Sequence, residues 1–163
     1  MNMNLVERLK KDKKGFTLVE MIVVIVIIGI LLAILVPGMF KYIQKAKDKQ
    51  ILVDARTAYL DVQMAAQEAY GANGITGTNV ESAFKEQLAG VTSQQKVTVT
   101  AGTGDGAKSV IVTVDVPENG TLTVTDIDAA TGKVKAMTYV RGDRQITMTD
   151  EVWGEVEPVG SGD

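Results

Sequence analysis

From Met21 to Phe40 the chain runs for twenty residues without a charge, and from Phe16 to Phe40 the only ionisable side chain is Glu20. At about 1.5 Å of rise per residue, a helix of that length spans roughly 30 Å, the thickness of bilayer hydrocarbon. The remainder of the 163 residues is charged and rich in Thr and Gly. One segment therefore meets lipid and the rest meets water, which suits a membrane-anchored chain with one compact head.

Arg8, Lys10, Lys11, Lys13 and Lys14 precede the apolar run, against only Glu7 and Asp12. Basic residues on that side keep the N-terminus cytoplasmic. An ordinary secretory signal has a shorter apolar core followed by a small-residue cleavage site. Here Pro37-Gly38-Met39-Phe40-Lys41 offers no such site, and the junction that stands out lies before the run, at Lys13-Lys14-Gly15-Phe16-Thr17-Leu18-Val19-Glu20.

With these residues the chain resembles the type IV pilin and type II secretion pseudopilin superfamily, whose precursors share a Gly-Phe-Thr-Leu-x-Glu signature ahead of a long apolar helix. The resemblance implies cleavage between Gly15 and Phe16 by a membrane prepilin peptidase, N-methylation of Phe16, and retention of the helix on the mature subunit. It also implies a partner for Glu20, since in an assembled filament this carboxylate would neutralise the Phe16 amine of an adjacent subunit. A carboxylate in an apolar helix costs a few kcal/mol on insertion scales and usually marks function. Because both charges lose solvent, such a pair sets register more surely than it adds stability.

Gly29, Pro37 and Gly38 interrupt an otherwise strong helix pattern. The plain reading is a tolerated kink in a membrane helix. The resemblance implies instead a stretch that loosens when the helix passes from lipid into a filament. Its further implications are a fold of α+β class, in which the long N-terminal helix packs on a four- or five-stranded antiparallel sheet, and partners that are other copies of the chain, minor pilins, the peptidase, a membrane assembly platform and, before assembly, lipid.

The absence of Cys and His removes disulfides, thiolate and imidazole metal sites, Ser-His-Asp triads and Cys nucleophiles, so an enzyme is not expected. A net charge of −3 leaves no basic face for nucleic acid beyond the leader and the stretch after the apolar run.

The sequence divides into a basic leader (1–15), the apolar helix (16–40), an amphipathic second half of the same helix (41–70), a connecting loop with a short helix (71–95), a β-sheet head (96–153) and a flexible tail (154–163). Lys41, Lys45, Lys47 and Lys49 form a collar where the helix leaves the membrane, and they would also meet anionic head groups. Leu52, Ala55, Tyr59, Val62, Ala66 and Ala69 recur at spacings of three and four and mark one apolar stripe. Gly71, Asn73 and Gly74 stop the helix. Thr78 or Asn79 is expected to cap a short helix over 80–88. From Lys96 onward, KVTVT, KSVIVTVDV, TLTVTDI, KVKAMTYV and RQITM alternate apolar and polar residues and predict strands.

Smaller motifs have local explanations. Arg141-Gly142-Asp143 spells an adhesion tripeptide but falls where a hairpin turn wants Gly and Asp, and Asn119-Gly120-Thr121 fits a glycosylation sequon but also a two-residue hairpin turn. Asp126, Asp128, Asp150 and Glu151 could supply oxygen ligands to calcium, but no EF-hand spacing is present and no cofactor is expected. Trp153 is expected to pack on the sheet. The functional expectation is a type IV pilin, made as a single-pass cytoplasmic-membrane protein and then displayed in a surface filament for adhesion, motility or aggregation. The alternative is a pseudopilin of a secretion or DNA-uptake machine.

Overall fold

The computed structural model describes residues 15–117 and 120–160. Residues 1–14 of the leader, and Asn119 of the sequon, lie outside them. The chain separates into two compact units, Met1–Gln44 and Lys45–Asp163. A helix, α1, is assigned from Leu18 to Ala69 with Pro37 inside it. It stops where Gly71 takes a left-handed φ of 75°, a conformation that Gly adopts without steric cost.

In the second unit α1 buries Ile51, Ala55, Ala58, Val62, Ala65, Ala66 and Ala69. Four of the expected stripe residues are among them, Leu52 and Tyr59 flank the core half-buried, and Ile51, Ala58 and Ala65 are additions. Most of this stripe is alanine. A second helix, α2 (Gly77–Gln87), buries Val80 and Phe84. Its start corrects the expected 80–88. Thr76 is the N-cap, and Asn79 sits at the third helical position with its Oδ1 accepting the Thr76 backbone N–H at 2.9 Å. The reciprocal bond resembles a capping box and fixes the first turn.

The five predicted strands form as β2 (Gln95–Ala101), β3 (Lys108–Val114), β4 (Gly120–Ile127), β5 (Val134–Arg141) and β6 (Arg144–Thr149). Three short strands join them: β1 (Ala89–Val91), β7 (Val152–Trp153) and β8 (Glu157–Pro158). They form two antiparallel sheets. One has the order β1-β4-β5-β6-β7 with β8 also on β6, and the other is the β2-β3 pair alone. β4 pairs with β1 and β5 rather than with β3, so β3 and β4 do not form a hairpin, although the Gly120 N–H closes a turn on the Pro117 carbonyl at 3.2 Å. Gly120 has a further use. Any Cβ there would land inside the buried Tyr139 phenol across the β4–β5 ladder.

Residues 71–95 are not all loop, since β1 lies within them. The tail 154–160 is also not loose. Arg144 Nη2 donates to the Val156 carbonyl at 2.9 Å, and the Val159 N–H donates to the Asp143 carbonyl at 2.9 Å. Trp153 is half-buried and meets Tyr59 of α1 edge-on, with ring centroids 6.2 Å apart.

Both ends of β5 are tied to α1. At the first, Gln63 Oε1 accepts the Val134 N–H at 2.9 Å, Gln67 donates to the Gly132 carbonyl at 3.2 Å, and the Tyr70 hydroxyl donates to Ala130 at 2.6 Å. At the other end Arg141 pairs with Asp54, and Arg144 lies 3.0 Å from Asp48 as an ion pair. Arg141-Gly142-Asp143 is thus the β5–β6 hairpin turn, as expected, with its Arg committed to α1.

Tyr139 is fully buried, and its hydroxyl has no hydrogen-bond partner among the described residues. Burial, helped by the Asp54 charge, pushes its phenol pKa up. Tyr139→Phe removes an unsatisfied buried group, so thermal unfolding of the detergent-solubilised chain, followed by circular dichroism, should show unchanged or higher stability. Gly120→Ala should lower it by about 1–3 kcal/mol, the usual cost of overpacking a close contact.

Candidate assembly surface

The first half of α1 is apolar around its whole circumference, because Val, Ile and Leu follow one another from Met21 to Val36 with no polar face. Every residue from Gly15 to Lys47 is exposed. By length and composition α1 is able to cross a membrane. No soluble helix leaves so much apolar surface uncovered without a second solvent or a partner.

Gly15 and Phe16 precede the helix, and a Cβ on Gly15 would meet nothing within 4 Å. Thr17 starts the helix, with its Oγ1 accepting the Glu20 backbone N–H at 3.2 Å and its carbonyl accepting the Met21 N–H at 3.3 Å. One of the orphan donors of the first turn is thereby satisfied. Glu20 lies in that first turn, where the positive end of the helix dipole favours a carboxylate. Gly29, Pro37 and Gly38 are all within α1, and a Cβ at either glycine would meet open space.

The structure also shows a surface that the sequence reading passed over. In the second unit Val53, Leu60 and Met64 are exposed by 61%, 59% and 63%. Their spacing of seven and four places them on one face of α1, opposite the buried stripe. That spacing is visible in the sequence, but the alanine-rich stripe gave the stronger signal there.

Three of the four carboxylates considered for calcium are paired with lysines. Asp128 Oδ2 lies 3.0 Å from Lys135 Nζ, Glu151 pairs with Lys133, and Asp126 is 3.7 Å from Lys85. Lys135, aided by the Ala130 N–H, holds the Asp128 carboxyl below its ordinary pKa. No group of three or more Asp, Glu, His or Cys residues is arranged to hold a metal among the described residues.

A continuous apolar helix joined to an α+β head, with a threonine-capped start and one acidic residue in its first turn, defines the pilin-like class. The family profile for the prokaryotic N-terminal methylation motif matches residues 10–36. The chain is similar to the type IV wide pilus major component PilA4 of Thermus thermophilus, 36% identical over 74 residues, which cover 45% of this chain and 53% of that protein. It is also similar to the type IV major fimbrial protein FimA of Dichelobacter nodosus, 33% identical over 99 residues, covering 56% of this chain and 64% of that protein. The chain thus spans between half and two thirds of the length of these relatives. No solved structure matches it.

The boundary between the two units separates the fully apolar part of α1 from the part with a buried stripe. A chain beginning at Lys45 should therefore be soluble and melt cooperatively, whereas the full chain should need detergent. Gel filtration and circular dichroism check this, and aggregation of the shorter chain without a cooperative melt would refute it.

Proposed function

We propose that this chain is a structural subunit of a type IV pilus. It is cut between Gly15 and Phe16 by prepilin peptidase, methylated on Phe16, and polymerised through α1 into a surface filament. The observation that carries this reading is the fully exposed apolar half of α1 starting beside the methylation motif. Such a surface needs lipid before assembly and neighbouring helices afterwards. The relatives' names, one a pilus component and one a fimbrial protein, support a pilus over a secretion-machine pseudopilin.

In this reading the first-turn position of Glu20 presents its carboxylate to the Phe16 amine of an adjacent subunit, while the neighbouring helix replaces lipid around both. Gly29, Pro37 and Gly38 are where α1 gives way during that transfer, since Pro37 leaves a carbonyl without its helical donor. The Val53, Leu60 and Met64 face extends the apolar contact into the second half of the helix. Other copies of the chain, minor pilins, the peptidase and an assembly platform are the partners, with the chain held in the cytoplasmic membrane before export to the surface. Adhesion, motility and aggregation are the roles open to such a fibre, and none of them requires a catalytic site.

Intact-mass measurement of the surface protein should give a chain that begins at Phe16 and carries one added methyl. A mass that retains residues 1–15 would refute the processing step.

Glu20→Gln should leave insertion and cleavage largely intact and strongly reduce filaments. Removing one partner of a buried charge pair costs about 3–5 kcal/mol, which lowers the association constant for each added subunit by about two to four decades. Sheared filament, quantified beside total processed subunit, gives the answer. Wild-type filament yield would exclude charge pairing, because deleting an unpaired carboxylate should make the helix easier to bury.

A further inference from the structure

A β-strand with nothing on one side presents a row of unpaired N–H and C=O groups, and most proteins block such edges. Three of the edges in this head are blocked or broken. The outer edge of β2 is closed by a side chain: the Gln87 amide donates to the Thr98 carbonyl at 2.8 Å and accepts the Thr98 N–H at 2.9 Å. Gln87 thereby takes the place of a neighbouring strand. Past β5, β6 is covered by β7 and β8. On the far side β1 has three residues and an irregular register.

β3 has none of these devices. Because the Thr98 backbone groups face Gln87, they point away from β3, so the Thr98–Ile111 pair is a non-hydrogen-bonded one. The β2–β3 register runs without a shift from Gln95↔Val114 to Ala101↔Lys108. The alternation therefore holds along the strand, and the backbone groups of Ser109, Ile111 and Thr113 all point outward. No hydrogen bond reaches them among the described residues. The turn Ala72–Gly74 lies near β3 without bonding to it. Between Lys108 and Asp115 the strand has no charge, no Pro and no bulge, and Ile111 is 63% exposed.

We infer that the free edge of β3 pairs antiparallel with β3 of a second copy of this chain, centred on Ile111. The strand is self-complementary about that residue. Ile111 opposes Ile111 of the other copy, Ser109 opposes Thr113, and all three pairs are of the hydrogen-bonded type, so six main-chain bonds close. The end charges are complementary as well, because an antiparallel pair brings Lys108 of each copy to the end of the strand where Asp115 of the other lies. A parallel pair would place Lys108 beside Lys108. This isologous contact closes on two copies. In an assembly propagated by head-to-tail contacts it joins separate fibres side by side. The pairing goes beyond the filament reading and does not depend on it.

The test uses the full chain in detergent, so it gives an answer whether or not fibres form. The natural sequence has no Cys, so a single introduced thiol reports one contact. Under mild oxidation Ile111→Cys should give a disulfide-linked dimer, several-fold above Thr98→Cys at the same concentration, because Gln87 closes that edge. Mixed Ser109→Cys and Thr113→Cys chains should cross-link to each other in excess of either alone, as the antiparallel register requires. Adding Ser109→Pro to Ile111→Cys deletes an outward N–H without touching the β2 ladder and should abolish the dimer, with the far-UV spectrum unchanged. If that variant does not fold, the Ile111 against Thr98 comparison still decides. Equal cross-linking at 111 and 98, or a cross-link in whole cells only to a different protein, overturns the proposal.

Discussion

One helix has to serve two solvents, and the architecture follows from how its sequence divides that task. Up to Val36 the circumference of α1 is apolar, so no arrangement of the head could cover it. Beyond Lys45 only a stripe is apolar, and that stripe is built largely of alanine. The larger residues of the core come from the strands: Leu122, Met137, Tyr139, Ile146 and Met148, all buried. Bulk sits on the sheet and smoothness on the helix, so the surfaces mesh without deep knobs on α1.

The polar residues flanking the stripe secure this interface. Gln63, Gln67 and Tyr70 take up backbone groups of the loop before β5, while Asp54 and Asp48 meet the two arginines that bracket the hairpin after it. β5 is the central strand of its sheet, so fixing it against α1 positions β4 and β6 through their ladders. Acidic residues that could be read as ligands, and an Arg-Gly-Asp run that could be read as a recognition motif, are employed in this fastening and in the lysine pairs around it. A chain without Cys depends on such contacts where a disulfide would otherwise serve.

Local signals carried most of the fold. The five long strands alternate cleanly because one face of each is buried, and Gly71 ends α1 because the next turn needs a left-handed residue. Strands of two or three residues, as in β1, β7 and β8, are too short for alternation to appear. Their existence depends on neighbours that are distant in sequence. The cap of α2 was misplaced because Asn79 is a plausible cap by composition, yet it acts from inside the helix on Thr76. Gly120 looked like part of a turn and does close one on the Pro117 carbonyl, but only Tyr139 across the ladder explains why the position must be glycine. The Thr17 cap at the start of α1 was not read from the sequence, although it lies wholly within adjacent residues, Thr17 to Glu20. The open edge of β3 was not legible, since it becomes evident only once Gln87 is seen closing the other side of the pair.

The fastening of β5 has a mechanical side. Because β5 is held to α1 at each end, a pull transmitted along the helix would load both sets of contacts at once and slide helix against sheet. Bonds strained together in shear resist far more than bonds opened one after another by peeling. The smooth alanine surface offers little to catch on during such sliding, so resistance falls to the polar clamps. The head would yield abruptly when they fail, and until then it would act as a stiff load with any give confined to α1.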